Sequence, residues 1–175
     1  MRKITSLIFI LLIAINGNAG ETKVMEAFDR KTLEIEDNWS AKEVGYKDSE
    51  LITFFRKNIG ASEISGHPKL NDLIYLTISY NPANEQGFPS DEDYKKLSDF
   101  EDIYIPKIEL ESDSIHVASV LKNGIYDFLF YVSNPDKFVV STNKNNSKIK
   151  SFKVDLELAN DPKWEIYHDL PCNRE

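Results

Sequence analysis

His116, Asp127 and Tyr131 are the residues of this sequence best suited to chemistry. An imidazole beside a carboxylate and a phenol can take up and return a proton. The three fall in two β-type runs, 115–121 and 125–132, joined by Asn123-Gly124. Asn-Gly between apolar runs is the strongest short hairpin signal, because both turn residues need positive φ. That turn predicts a register in which residue 122 faces 125 and 121 faces 126. Counted outward, His116 falls opposite Tyr131 and Asp127 opposite Val120. One face then carries Ile115, Val117, Ser119, Leu121, Tyr126, Phe128, Phe130 and Val132, apolar enough to meet helices. The other carries His116, Ala118, Val120, Lys122, Ile125, Asp127, Leu129 and Tyr131. By the same alternation Tyr75, Thr77 and Ser79 join this second face, with Lys153, Asp155 and Glu157. His116, Asp127, Tyr131, Tyr75, Lys153 and Asp155 therefore form a candidate binding face, a polar and aromatic platform for a protein or peptide. The plainer reading is a solvated sheet face, or one covered by an N-terminal hairpin.

Other chemistry has less to stand on. The sequence holds no phosphate-cradling glycine loop, no Gly-x-Ser-x-Gly elbow and no His-Glu-x-x-His. His67 and His168 sit in no ligand-spaced cluster, so no metal site or other cofactor is expected. The acids Asp91, Glu92, Asp93, Asp99, Glu101 and Asp102 lack the alternate spacing and glycine of a Ca²⁺ loop, and read as a helix start and a solvated face. A hydrolase centred on His116, with Asp127 or Tyr131 helping, is the alternative to a binding role, but no nucleophile or oxyanion device accompanies it. Trp39 and Trp164 read as packing anchors.

The elements that position these residues follow from pattern. Residues 20–37 read as a tail, and from Asn38 the alternation becomes β. Two strands around Lys47-Asp48-Ser49 make an N-terminal hairpin, and 60–71, with Gly60, Gly66 and Pro68, reads as loop. Leu73–Tyr80 is a strand. Ser90 caps a helix with three acids in its first turn, and Tyr94, Leu97, Glu101, Tyr104 and Ile108 follow at helical spacing, with Pro106 expected to kink or end it. Asn134-Pro135 opens a second helix. Phe152–Leu158 alternates as a one-sided strand, and Asp161-Pro162 opens a last short helix carrying Trp164 and Tyr167. From Leu73 the order is β-α-β-β-α-β, so the expected fold is α+β, a ferredoxin-like antiparallel sheet extended or covered by the N-terminal hairpin.

Composition bounds the setting. The chain has 175 residues, a formal net charge of −8 and one cysteine. That length suits one domain, expected over 38–171 with 172–175 as a C-terminal tail. The acidic balance argues against nucleic acid and against an anionic membrane as partners. Arg2 and Lys3, the apolar run from Ile4 to Ile15 and the small residues before Gly20 read as a signal peptide over 1–19, which implies export to a bacterial periplasm or beyond. A single cysteine allows no internal disulfide; after export Cys172 could pair between chains, and the plainer reading is a free thiol near the C-terminus.

Three clusters carry a resemblance. Gly87-Phe88-Pro89-Ser90 leading to Glu101-Asp102, Asn123-Gly124 with Phe128, Phe130 and Tyr131, and Asp161-Pro162-Lys163-Trp164-Glu165-Ile166-Tyr167 resemble the domain of unknown function 695 family. The D-x-x-W-x-x-Y ending, carried by Asp161, Trp164 and Tyr167, is also similar to the regulator of ribonuclease activity B family, inhibitors of ribonuclease E. The likeness covers about Asn38 to Pro171. This chain has Asp169-Leu170-Pro171-Cys172 where the pattern more often has Leu-Tyr-Pro. The resemblance implies an acidic ferredoxin-like fold with a protein-binding role, and it implies that Gly124, Asp161, Trp164 and Tyr167 serve structure. The first family has no activity to carry over, and a cytoplasmic ribonuclease is out of reach of an exported chain. The reading is therefore an exported, non-catalytic protein-binding or modulator domain whose partner is another envelope or secreted protein.

Overall fold

The computed structural model describes residues 28–172. The segment 1–19 expected to be a signal peptide lies outside the described residues, as does the first part of the expected tail. Six strands, β1 (Trp39–Gly45), β2 (Ile52–Asn58), β3 (Asp72–Ser79), β4 (Ser114–Lys122), β5 (Ile125–Val132) and β6 (Lys153–Asn160), form one sheet in the order β1-β2-β4-β5-β3-β6. Every neighbouring pair is antiparallel. Four helices accompany them: α1 (Asp91–Ile103), α2 (Ile105–Ser112), α3 (Pro135–Asn145) and α4 (Glu165–Asp169). The N-terminal hairpin extends the sheet through β2 and does not fold over it.

Local chemistry sets these limits. Ser90 Oγ accepts from the Asp93 N–H at 3.2 Å, so the expected cap opens α1. The helical run breaks at Tyr104. Pro106 then lies in the first turn of α2, where its missing N–H has no intrahelical partner to lose, and the helix continues to Ser112. Asn123 and Gly124 both take positive φ, as the hairpin turn demands. The last helix starts later than expected. Trp164 adopts a left-handed φ of 57°, so Pro162 and Lys163 form a turn and α4 begins at Glu165.

The sheet buries both faces. On one, Ile74, Leu76 and Ile78 of β3 and Phe128 and Phe130 of β5 pack against Leu97 and Phe100 of α1, Ile105 and Ile108 of α2 and Phe138 of α3. On the other, Leu73, Leu129, Tyr131, Val117 and Val120 pack with Trp164, Tyr167, Leu70 and Ala61. At one end this second face is covered by the α4 segment and by the 3₁₀ turn Ile59–Ile64, which replaces part of the loop expected at 60–71. Cys172, 2% exposed, belongs to the packed unit and not to a tail.

One departure controls the site. The β4–β5 ladder pairs Ile115 with Tyr131 and His116 with Phe130, then shifts so that Ala118 meets Leu129. Val117 is the extra residue of a bulge. A single extra residue reverses which side chains share a face on its far side. The expected pairing of His116 with Tyr131 is therefore wrong. His116 lies on the helix side with Phe130 and Ser119, while Ile115 and Val117 join the opposite cluster.

The segment before β1 is held tightly. Asn38 O accepts from the Ile59 N–H at 2.7 Å. A Cβ at Gly60 would sit 2.0 Å from the Glu36 carbonyl oxygen. Gly60→Ala is expected to cost about 1–3 kcal/mol in urea denaturation, because backbone rather than a flexible side chain must give way. Gly45→Ala, where a Cβ meets nothing within 4 Å, should change stability by no more than about 0.5 kcal/mol and serves as the control.

Candidate functional site

The expected second-face residues divide. Asp127 stands opposite Val120, as the turn register predicts, and opposite Thr77. Thr77 Oγ1 donates to Asp127 Oδ1 at 2.7 Å, and Lys122 Nζ reaches Oδ2 at 2.9 Å. Tyr75 lies between Leu129 and Glu157, and Lys153 and Asp155 form an exposed ion pair at 2.5 Å on β6. Asp127, Thr77, Tyr75, Lys153 and Asp155 share one face, but its charges pair with one another and Asp127 is buried. Tyr131 is fully buried: its ring stacks on Trp164 at 3.7 Å and its hydroxyl donates to Asp161 Oδ2 at 2.6 Å. Burial, reinforced by the Asp161 carboxylate, pushes the Tyr131 phenol well above its ordinary range. His116 is absent from this face altogether.

The motif residues build a clamp. Asp161 Oδ1 accepts from Glu165 N–H at 2.9 Å and Oδ2 from Ile166 N–H at 3.0 Å, which anchors the start of α4. Burial works against the Asp161 charge, but the bonds from Tyr131, Ile166 and Glu165 outweigh it and hold the carboxyl below its usual value. Tyr167 donates its hydroxyl to Asn58 O at 2.9 Å, which ties α4 to the end of β2. Gly124 O accepts from Tyr80 N–H at 2.8 Å. All four positions hold structure together.

The concave site lies on the other side of the sheet. A cavity of about 360 Å³ opens between β1–β2, the junction of α1 with α2, and the N-terminal segment. Trp39, Arg56, Asn58, Glu101, Glu109 and His116 are in its wall, with Asp37 and Asp102 exposed at its rim. Register explains the gathering. Arg56 of β2 pairs with Ser119 of β4, and Trp39 of β1 pairs with Asn58, so alternate residues of three strands face α1.

Glu101 organises the polar floor. Arg56 Nη1 meets its Oε1 at 2.8 Å, Ser119 Oγ donates to the same oxygen at 2.7 Å, and the Tyr126 hydroxyl donates to Oε2. His116 Nε2 lies 3.0 Å from Ala118 O and 3.1 Å from Ser119 Oγ. Trp39 stands 5.0 Å from the His116 ring, and the Arg56 guanidinium lies 5.1 Å from the Trp39 centroid. At the far side Arg30 Nε holds Glu109 Oε1 at 2.9 Å. Burial raises the Glu109 carboxyl above its usual range, with Arg30 opposing. Burial likewise drives the His116 imidazole down to about 3, against the Ala118 bond.

These residue types invite comparison with an acyl-transfer triad, and the connectivity differs. In a triad the acid orients the histidine and the histidine takes the serine proton. Here the acid holds the serine, whose only proton goes to Glu101, and Ser119 is 1% exposed. An imidazole titrating at about 3 is also a weak base near neutrality. Among the described residues no group of three or more His, Cys, Asp or Glu could hold a metal ion. Nor, among them, is any helix long and apolar enough to cross a membrane.

Sequence pattern missed most of this wall. Glu101 reads as a solvated helix acid, yet it is 9% exposed. Its signal was its helical spacing from Leu97 of α1 and from Tyr104 and Ile108 beyond it, an apolar stripe on which a carboxylate needs partners. Arg56, Ser119 and Asn58 gave no local signal.

The chain belongs to the Family of unknown function (DUF695), whose match spans residues 37–170. No curated protein and no solved structure matches it.

Proposed function

We propose that this protein is an exported, non-catalytic binding domain that engages another envelope or secreted protein through the cavity beneath β1. The observation that carries the reading is the Glu101 network: the Glu101 carboxylate, the Ser119 hydroxyl and the Tyr126 phenol of the cavity floor are committed to one another, while the rim and the Trp39 face stay open. A polar floor held rigid by such a network suits recognition, where preorganisation lowers the cost of binding. The second sheet face serves less well, because one end is covered and the charges of the other end pair with one another. We further read β3 to β6 with α1 to α3 as a ferredoxin-like unit. The strand order β4-β5-β3-β6 and the helices on one face support this. Export rests on the composition of residues 1–19. The likeness of the D-x-x-W-x-x-Y ending to a family of protein inhibitors agrees with a binding role. The competing reading, a hydrolase centred on His116, needs a base and a free nucleophile that this floor does not offer.

Asp102→Arg, an exposed rim change, tests the proposal. The full chain and the variant are each used to capture proteins from an envelope extract of the source organism, at low and high salt. The expected result is a protein retained by the wild type at low salt, released at high salt, and lost with the variant. The same proteins held equally by both chains would place binding elsewhere.

A further inference from the structure

We infer that the cavity beneath β1 receives a basic side chain, a guanidinium or ammonium, projecting from the partner protein. This deepens the binding reading above and rests on it. The wall is not electrically balanced. Arg30 is paired with Glu109 and Arg56 with Glu101. Asp37 and Asp102, at the rim, have no cationic partner among the described residues. Surface carboxylates alone are well served by water, so the stronger evidence lies deeper. The Asn58 side chain is 8% exposed, lies in the wall, and its Oδ1 has no hydrogen-bond partner. A buried acceptor without a donor is costly, and a donor entering the cavity would relieve it once the amide turned toward the opening.

His116 adds a second acceptor. Its Nε2 lies 3.0 Å from the Ala118 carbonyl, which can only accept. Nε2 therefore carries the hydrogen and Nδ1 keeps the lone pair, with no partner among the described residues. So the unmatched polar atoms of the cavity wall are acceptors, and its unmatched charges are negative. A donor-only cation answers both, and arginine, planar with five N–H groups, answers them best. Trp39 offers the remaining wall. Its ring already carries the Arg56 guanidinium 5.1 Å from its centroid, the kind of contact an organic cation makes. An anion would meet Asp37, Asp102 and Glu109, and a neutral guest would leave the two rim carboxylates without a counter-charge.

The test uses Trp39 emission from the full chain. Acetyl-Gly-Arg-Gly-amide and its citrulline counterpart, equal in shape and without the charge, are titrated into it. The arginine peptide should change the emission saturably and bind at least tenfold tighter than the citrulline peptide. Combining Asp37→Asn with Asp102→Asn should weaken it tenfold or more with an unchanged far-ultraviolet circular dichroism spectrum. Trp39→Phe should abolish the optical change. Equal binding of the two peptides, lost with the Trp39 variant when followed by calorimetry, would overturn the charge assignment and leave cavity binding standing. No binding of either peptide at millimolar concentration overturns the inference. If Asp102→Arg also retains every captured protein, the binding site itself is misplaced.

Discussion

Trp164→Ala should destabilise the fold by about 4 kcal/mol, a loss read from urea denaturation at neutral pH. Trp164 is fully buried. Its ring lies parallel to Tyr131 at 3.7 Å and meets the edge of Tyr167 at 5.6 Å. Its indole N–H donates to Leu70 O at 2.9 Å. Alanine removes the largest side chain of the second-face cluster, opens a cavity between α4 and the sheet, and leaves the Leu70 carbonyl without its donor. It also keeps the strained backbone, since Trp164 holds a φ of 57° that any L-residue other than glycine adopts at a cost. Trp164→Gly should therefore lose somewhat less than Trp164→Ala, by about 1 kcal/mol, an order that contradicts side-chain volume alone. Against a typical domain stability of about 5–15 kcal/mol, either change removes a large fraction. A loss below about 1.5 kcal/mol would mean that α4 is not packed on Tyr131 as described. The measurement also weighs the D-x-x-W-x-x-Y ending. Asp161 and Tyr167 tie the same helix to Tyr131 and to β2, so the three residues act as one fastening.

How much of this was legible beforehand depended on how far apart the cooperating residues lie. The Asn123-Gly124 turn spoke for itself, since only a few residue pairs tolerate two positive φ angles. Its register held from Lys122 and Ile125 back to Ala118 and Leu129. It failed at Val117 because 115–118 reads Ile-His-Val-Ala, apolar on both faces, and the strand is buried on both sides. Where both faces are covered, alternation carries no information about which side a residue takes, and one extra residue leaves no trace in the pattern. That single bulge moved His116 from the expected platform to the helix side, and so moved the candidate site from one face of the sheet to the other. The cavity was illegible for a different reason. Its wall joins Arg30, Trp39, Arg56, Glu101 and His116, which no local periodicity relates. Only the sheet order β1-β2-β4 brings them under one helix junction.

Acid should weaken the protein through His116 in particular, and the sign follows from burial. An imidazole in the unfolded chain titrates near 6.5, while in the fold burial lowers it to about 3, with the Arg56 charge adding to the effect. The folded state thus binds fewer protons than the unfolded state between these values. Stability is complete above about 6.5 and falls steadily as the pH drops toward 3. Between pH 7 and pH 4.5 this one group should remove about 2.5 kcal/mol. Other groups face it. Glu101 is reached through Ser119, and Glu109 accepts from the His116 backbone N–H at 3.4 Å. Glu109 contributes with the opposite sign: burial raises its carboxyl in the fold, so protonation there relieves the native state as the pH falls. A single pH curve therefore mixes both, and a difference between chains separates them. His116→Gln keeps an N–H donor for Ala118 O and does not titrate. The wild type should lose about 2.5 kcal/mol more than this variant between pH 7 and pH 4.5, measured by urea denaturation at each pH. Parallel losses in the two chains would mean that the fold does not hold the imidazole neutral, so that it takes up its proton between pH 7 and pH 4.5 as readily as in the unfolded chain. Once protonated it is a donor at both ring nitrogens, and the acceptor that favours a cationic guest would be gone at the lower pH.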